Sequence, residues 1–170
     1  FPDTAKEFAD LFDKDGNPVI LDDVQVGVNQ GDFAALVGPS GSGKSTLLRL
    51  LLGFERVGSG AVYYDGQDLS TLDLRLVRSQ IGVVLQNGSV LAGDIFNNII
   101  GASANLTVED AWEAAEMSGL AEDIRQMPMG MYTYIAEGGT TLSGGQKQRL
   151  LIARAIVSRP RIIFFDEATS

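Results

Sequence analysis

Alternating and continuous runs of apolar residues predict a mixed fold. Strand-like runs lie at 19–21, 24–28, 33–37, 61–64, 81–85 and 162–165. The alternation in VQVGV (24–28) is typical of a half-buried antiparallel strand near a sheet edge. FAALVG and RIIFFDE are instead continuously apolar before their polar ends, which is typical of parallel strands covered on both faces. The pattern therefore predicts an α/β fold.

Helices are marked by start and stop signals between these strands. A leucine-rich stretch over 44–53 follows several glycines and predicts a mostly buried helix. Thr107 opens TVED, a capping-box pattern, and predicts a helix that ends at Gly119. Two further helices are predicted, over 121–126 and, with Ser143 as N-cap, over 144–158.

The order of the elements predicts one domain with an insertion. Residues 1–87 are rich in strands, 88–158 are nearly all helical, and a strand follows. We therefore expect a single domain over 1–170, with an α/β core formed by 1–87 and 159–170. The helical subdomain over 88–158 would be inserted into it.

Composition excludes several classes of protein. The chain has 170 residues, of which 45% are apolar, enough for a real core. No apolar run reaches the roughly 18–20 residues of a membrane span, and the first ten residues lack a secretory pattern. With no Cys and no His, disulfides and the usual zinc sites are excluded. A reducing, cytoplasmic setting fits this composition.

The charge balance argues against a nucleic-acid partner. The formal net charge is −9, which is opposite to the basic footprint of such proteins. Four arginines do gather near the C-terminal end: Arg149, Arg154, Arg159 and Arg161. A solvated helix face explains them better than a nucleic-acid patch.

GPSGSGKST (38–46) carries the strongest chemical signal. It fits G-x-x-x-x-G-K-[ST], in which glycines let backbone N–H groups surround phosphate oxygens at a helix N-terminus. Lys44 would reach the outer phosphates, and the Ser45 hydroxyl could ligate Mg²⁺. The alternative is a glycine-rich turn without a ligand. The predicted nucleotide-binding residues are Gly38, Ser40, Gly41, Ser42, Gly43, Lys44, Ser45 and Thr46.

Two carboxylates end the last apolar strand. Asp166 at a strand tip could hold Mg²⁺, and Glu167 could orient or deprotonate an attacking water. Such residues can also simply cap a strand end. Their occurrence together with the phosphate loop favours the functional interpretation.

Together with LSGGQ, Leu142–Gln146, these motifs resemble the nucleotide-binding domain of ABC transporters. LSGGQ discriminates, because other phosphate-loop ATPases lack it. Segments such as VVLQNGSVLAGDIFNNI and LSGGQKQRLLIARAIVSRP look most similar to exporter ATPases of bacteriocin and modified-peptide secretion. The resemblance implies a phosphate-loop ATPase core with a parallel sheet, an N-terminal antiparallel β part and the inserted helical subdomain.

The resemblance also implies a dimer. In the family, two such domains bind two ATP molecules between them, each closed by the phosphate loop of one domain and the LSGGQ of the other. The signature residues that would meet the partner's ATP are Leu142, Ser143, Gly144, Gly145 and Gln146.

Further roles carry over from the family by position. Gln86 matches the glutamine that approaches Mg²⁺ and the attacking water, and Phe12 an aromatic that stacks on adenine, where simple core packing is the alternative. EGG (137–139) is a further candidate site, because it lies where exporters of the family have a loop that senses the membrane domain. A stripe of Ile95, Phe96 and Ile99 could contact that domain, although ordinary core packing explains it better.

The sequence ends at DEATS, before the family's switch histidine. We therefore expect a domain that is incomplete after its Asp-Glu carboxylate motif. The implied function is ATP hydrolysis with Mg²⁺ at the cytoplasmic face of the cell membrane, driving peptide export through a transmembrane partner domain. A homo- or heterodimer with a second ATPase domain is implied. Two alternatives are a soluble ABC-type ATPase acting on DNA or the ribosome and a non-catalytic nucleotide-binding module.

Overall fold

The computed structural model describes residues 20–85, 88–139 and 141–166. The chain divides into two compact units, Phe1–Thr71 and Leu72–Ser170. Parallel and antiparallel strands occur together with helices, which confirms the α/β class. Among the described residues, no helix has the length and apolar character needed to cross a membrane.

Among its described residues, the first unit contains one α-helix and one hairpin. Helix α1, Lys44–Leu51, is followed by strands β1, Tyr63–Tyr64, and β2, Gln67–Asp68, which pair antiparallel. The turn between them is Asp65–Gly66, with φ of 50° and 75°, as a two-residue type I′ hairpin requires. The Tyr64 hydroxyl donates a hydrogen bond to the Leu51 carbonyl (2.9 Å), which ties the hairpin to the end of α1.

Two predicted strands of this unit are wrong as hydrogen-bonded elements. Residues 24–28 and 33–37 form no ladder with any described segment. Their apolar side chains are exposed, including Phe33 at 93% and Val37 at 90%. Apolar alternation gives the side-chain period of a strand, but a strand also needs a partner for its backbone groups. Residues 61–64 were likewise predicted as a strand, and only the last two residues pair.

The second unit is built from two small sheets and five helices among its described residues. Strands β3, Ile81–Val84, and β6, Ile162–Phe165, pair in parallel, which confirms the parallel strand predicted from RIIFFDE. The short strands β4, Gly93–Asp94, and β5, Tyr134–Ile135, pair antiparallel. The helices are α2, Leu74–Arg78; α3, Ile95–Ile100; α4, Val108–Ser118; α5, Ala121–Gln126; and α6, Gly144–Ile156.

The helix signals predicted these bounds well. Helix α4 starts at the Thr107 capping box and ends at Gly119 in the left-handed conformation, as the sequence predicts. Helix α5 spans the predicted residues. Helix α6 begins after Ser143 and ends two residues earlier than predicted, at Ile156.

The core of the second unit lies where α3, α4 and α6 meet. Its most buried side chains include Ile95, Ile99 and Leu150, and three alanines of α4 complete it: Ala111, Ala114 and Ala115. Alanine keeps the helix axes close, because little side chain separates the backbones. The stripe Ile95, Phe96 and Ile99 therefore belongs to the core, as its ordinary interpretation predicts.

Helix α6 also packs directly on the sheet, at Gly82 of β3. A Cβ at this position would lie 2.3 Å from the carbonyl oxygen of Ala155 and 3.1 Å from the Pro160 ring. Only a residue without a side chain permits this backbone contact. Gly82 therefore fixes the distance between α6 and the parallel strands.

Gly82→Ala tests this close approach. Because the obstructing atoms are backbone, overpacking should destabilise the unit by about 1–3 kcal/mol or more. Hydrogen–deuterium exchange of the β3 and α6 peptides should accelerate accordingly. Gly58→Ala is the matched control, since a Cβ there meets nothing within 4 Å. Equal exchange in both variants would contradict the packing argument.

Candidate functional site

The glycine-rich loop before α1 is shaped by its own lysine. The Lys44 ammonium donates to the carbonyl oxygens of Gly38 and Pro39, both at 2.8 Å. Gly41 and Gly43 adopt φ of 81° and 87°, the left-handed region that favours glycine. The Lys44 ammonium thus closes the loop onto its first two residues, Gly38 and Pro39.

Close packing explains a further glycine of the loop. A Cβ at Gly38 would lie 2.7 Å from the Ser42 hydroxyl oxygen. At Gly41, by contrast, a Cβ would meet nothing within 4 Å, so the positive φ alone accounts for glycine there. The loop is therefore a compact turn of the kind that lets backbone N–H groups approach an anion.

Helix α1 starts without a side-chain cap. Its N-cap is Gly43, which makes no side-chain hydrogen bond, and the Ser45 side chain is on the exposed first turn. Uncapped N–H groups, a lysine and a hydroxyl are the donor set that a phosphate and its Mg²⁺ require. The residues present fit a nucleoside triphosphate with its metal ion.

The second glycine-rich helix start has the opposite construction, because α6 is fully capped. The Ser143 hydroxyl accepts from the backbone N–H of Gln146 (3.2 Å), and Gln146 Oε1 accepts from the backbone N–H of Ser143 (3.0 Å). This reciprocal capping box holds the first turn and leaves the Ser143 side chain at the surface.

The glycines that follow Ser143 have no packing role inside the described chain. A Cβ at Gly144 would meet nothing within 4 Å, and one at Gly145 would lie 3.4 Å from Arg149 Nη1. Neither residue has a positive φ. Glycine weakens a helix by about 1 kcal/mol relative to alanine, and no packing among the described residues offsets that cost at Gly144 or Gly145.

Asp166 is placed where the sequence predicts, at the carboxyl end of β6. Its backbone N–H donates to the Val84 carbonyl (2.9 Å), which extends the parallel pairing by one bond beyond the strand. The half-buried carboxylate therefore sits at the edge where parallel strands present ligand-binding groups. Phe12, Gln86 and Glu167 lie outside the described residues.

Two of the clustered arginines, Arg154 and Arg159, make contacts within the fold. Arg154 donates from Nη1 to the Ser89 carbonyl (3.0 Å), from Nε to the Asn98 carbonyl (2.6 Å), and from Nη2 to Asn98 Oδ1 (2.7 Å). Its burial lowers the pKa of the guanidinium. Arg159 hydrogen-bonds to Glu113, which raises the pKa of its guanidinium.

The Arg154 contact was not visible in the sequence, because its partner is a buried amide. Asn98 Nδ2 donates to the carbonyls of Leu91 (2.9 Å) and Asp94 (3.0 Å), and its Oδ1 accepts from the Leu91 N–H (3.0 Å). Together with Arg154, these bonds fully satisfy the amide. The segment after Gln86 is thereby fastened to α3 and α6.

The candidate site at 137–139 is a tight turn against the same segment, with Gly138 and Gly139 both in the left-handed region. The Gly138 N–H donates to the Val90 carbonyl (3.2 Å), and Gly139 is buried with φ of 66°. A Cβ at Gly139 would lie 2.9 Å from Lys147 Cε and 3.2 Å from Val90 Cβ. The turn thus connects Val90 to the first turns of α6.

Comparison with known proteins places these features in one family. The sequence model of the ABC transporter family matches residues 21–170. The α-hemolysin translocation ATP-binding protein HlyB of Escherichia coli O157:H7 is 47% identical over 159 residues, covering 94% of this chain and 22% of that protein. The toxin RTX-III translocation ATP-binding protein of Actinobacillus pleuropneumoniae is 46% identical over 153 residues, covering 90% of the chain and 22% of that protein.

A solved structure agrees with the sequence comparison. A bacterial Atm1-family ABC exporter with ATP bound superposes with a TM-score of 0.72 at 38% identity, covering 77% of this chain and 23% of that one. This chain therefore spans less than a quarter of the length of the relatives that it matches. The chain belongs to the ABC transporter family, as an ATP-binding domain of the exporter type.

Proposed function

We propose that this chain binds and hydrolyses ATP and couples the cycle to export of a peptide or protein. The observation that carries the proposal is the contrast between its two glycine-rich helix starts. Helix α1 is uncapped beside a lysine, whereas α6 is capped and presents two glycines that internal packing does not require. One start suits the chain's own nucleotide, and the other suits a nucleotide held by a partner.

ATP would lie on the loop that precedes α1. Lys44 would exchange its carbonyl contacts for the outer phosphates, and the backbone N–H groups of Gly41–Thr46 would surround them. Mg²⁺ would be held by Ser45 and Asp166, with Gln86 near the metal and the attacking water. Phe12 would stack on the adenine ring.

Hydrolysis would depend on Glu167. A water molecule oriented by this carboxylate attacks the γ-phosphorus, and the bond to the bridging oxygen breaks to give ADP and inorganic phosphate. Lys44 would offset the charge that develops on the phosphoryl oxygens, and Mg²⁺, when bound, would supply further positive charge there.

The signature would act across a dimer of ATPase domains. Ser143 and the N–H groups of Gly144 and Gly145 would contact the γ-phosphate of the partner's ATP, flanked by Leu142 and Gln146. A helix N-terminus favours an anion, and residues without side chains let it approach the backbone closely. Closure on ATP and opening after hydrolysis would drive a transmembrane partner domain from the cytoplasmic face of the membrane.

A proteinaceous cargo is favoured by the relatives, whose names describe translocation of α-hemolysin and RTX toxins. A soluble ATPase acting on DNA or the ribosome is disfavoured, because Arg149, Arg154 and Arg159 are engaged within the fold. A non-catalytic module is disfavoured by the presence of Glu167.

Glu167→Gln tests the catalytic assignment. Removing the general base should lower ATP turnover by about 10²–10⁴-fold while ATP binding persists. Steady-state phosphate release and equilibrium nucleotide binding by the native polypeptide that carries these residues would measure both. Glu109→Gln, an exposed carboxylate in the first turn of α4, is the control and should behave as wild type. Unchanged turnover in Glu167→Gln would make the role assigned here wrong.

Ser143→Ala tests the signature. Loss of an N-cap costs about 1 kcal/mol of stability, so a stability effect has to be separated from a catalytic one. Thr107→Ala removes the equivalent cap of α4 and provides that comparison. We expect both variants to lose similar stability in a thermal melt, but only Ser143→Ala to lose turnover, by about tenfold. Equal turnover in the two variants would refute a role at the phosphate.

A further inference from the structure

The carboxylate of Asp123, in α5, accepts hydrogen bonds from α6 just after the glycines at the start of that helix. Asp123 Oδ1 accepts from Gln146 Nε2 (3.0 Å), and Asp123 Oδ2 accepts from Arg149 Nη2 (2.7 Å). Gln146 and Arg149 are three positions apart and share one face of α6. A single side chain thus holds two consecutive turns of the helix.

The contact to Gln146 decides which way its amide faces. Gln146 Oε1 accepts from the Ser143 N–H (3.0 Å), and this is possible only while Nε2 points away, toward Asp123. A turned amide would bring two donors together, at Nε2 and the Ser143 N–H. A carboxylate only accepts, so Asp123 selects the orientation that completes the capping box.

The carboxylate is well suited to this task. Its hydrogen bonds from Gln146 and then from Arg149 lower the pKa of the Asp123 carboxyl, which keeps the group an acceptor. The Asp123 and Arg149 side chains are only 27% and 36% exposed, so solvent replaces their contact less readily than a surface pair. Ser143, in contrast, stands at the surface.

We propose that Asp123 is a positioning residue of the signature: it orients Gln146, and through Gln146 it holds Ser143 for the phosphate of the partner's ATP. The inference rests on the function proposed for the signature. Asp123 itself touches no nucleotide, since it acts from the side of α6 that faces α5. Its loss leaves ATP binding at the Lys44 loop intact.

Asp123→Asn is the first test, because it keeps the shape and removes one acceptor. The new amide group has to face either Arg149 or Gln146 with its NH₂, so either the Arg149 bond or the Gln146 orientation is lost. In the native polypeptide we expect kcat for ATP hydrolysis to fall about tenfold, comparable to the loss of a cap. The affinity for a fluorescent ATP analogue should stay within twofold of wild type.

A swap separates positioning from general structural damage. Gln146→Glu alone sets two carboxylates against each other and should also impair turnover. In the double variant Asp123→Asn/Gln146→Glu, the amide at 123 donates to the carboxylate at 146 and accepts from Arg149. That carboxylate still accepts from the Ser143 N–H, and the net charge is unchanged. We expect the double variant to turn over ATP faster than either single variant, a non-additivity that reports direct coupling.

Glu122→Gln is the matched control for the first variant. It lies beside Asp123, its side chain is 73% exposed, and it pairs within α5 with Arg125. Wild-type turnover is expected here. The inference is overturned if Asp123→Asn keeps full turnover, or if the double variant is no faster than the better of the two single variants.

Ser143→Ala, measured in parallel, distinguishes failure of the positioning role of Asp123 from failure of the function proposed for the signature. If Ser143→Ala is impaired and Asp123→Asn is not, the signature function stands and the positioning role falls. If Ser143→Ala retains full turnover, the function proposed for the signature itself fails, whatever Asp123 does.

Discussion

The second unit depends on one buried amide. Asn98 is 2% exposed and uses every donor and acceptor it has, with Arg154 as the partner from α6. A buried polar group left unpaired costs about 1–3 kcal/mol. The segment around Leu91, strand β4 and helices α3 and α6 therefore have to keep their mutual positions. Burial of the aliphatic core stabilises the second unit, and the hydrogen bonds of Asn98 fix how its elements are positioned relative to one another.

The fixed position of α6 determines which of its residues are exposed. The helix is fixed at one end by Arg154, along its middle by the apolar core, and near its start by Asp123. In the first turn, Ser143 and the two glycines are exposed. The first unit offers a complementary construction, a loop that closes on Lys44 and a helix start that no side chain occupies. Rigid support behind an exposed helix start is a feature of preorganised functional sites.

Much of this arrangement was predictable, because its signals are local. GPSGSGKST, LSGGQ, the caps at Thr107 and Ser143, and the strand before Asp166 are contiguous patterns with one physical meaning each. The five-residue helix α2 was missed because it is too short for periodicity, although Asp73 caps it. Asp123 and Asn98 were missed because their partners lie 23 and 56 positions away in sequence. The strands expected at 24–28 and 33–37 do not form a ladder with any described segment, because an apolar pattern, alternating or continuous, does not specify a pairing partner.

The glycine contact between β3 and α6 has a mechanical consequence. With no side chain between Gly82 and Ala155, there is no compressible layer between helix and sheet. From that fulcrum the helix extends about 18 Å to Ser143, at about 1.5 Å per residue. A tilt of only about 3° would therefore move the serine by about 1 Å, roughly the difference between a hydrogen bond and none. Small rotations of α6 at the sheet would therefore be transmitted to Ser143 as displacements of that size.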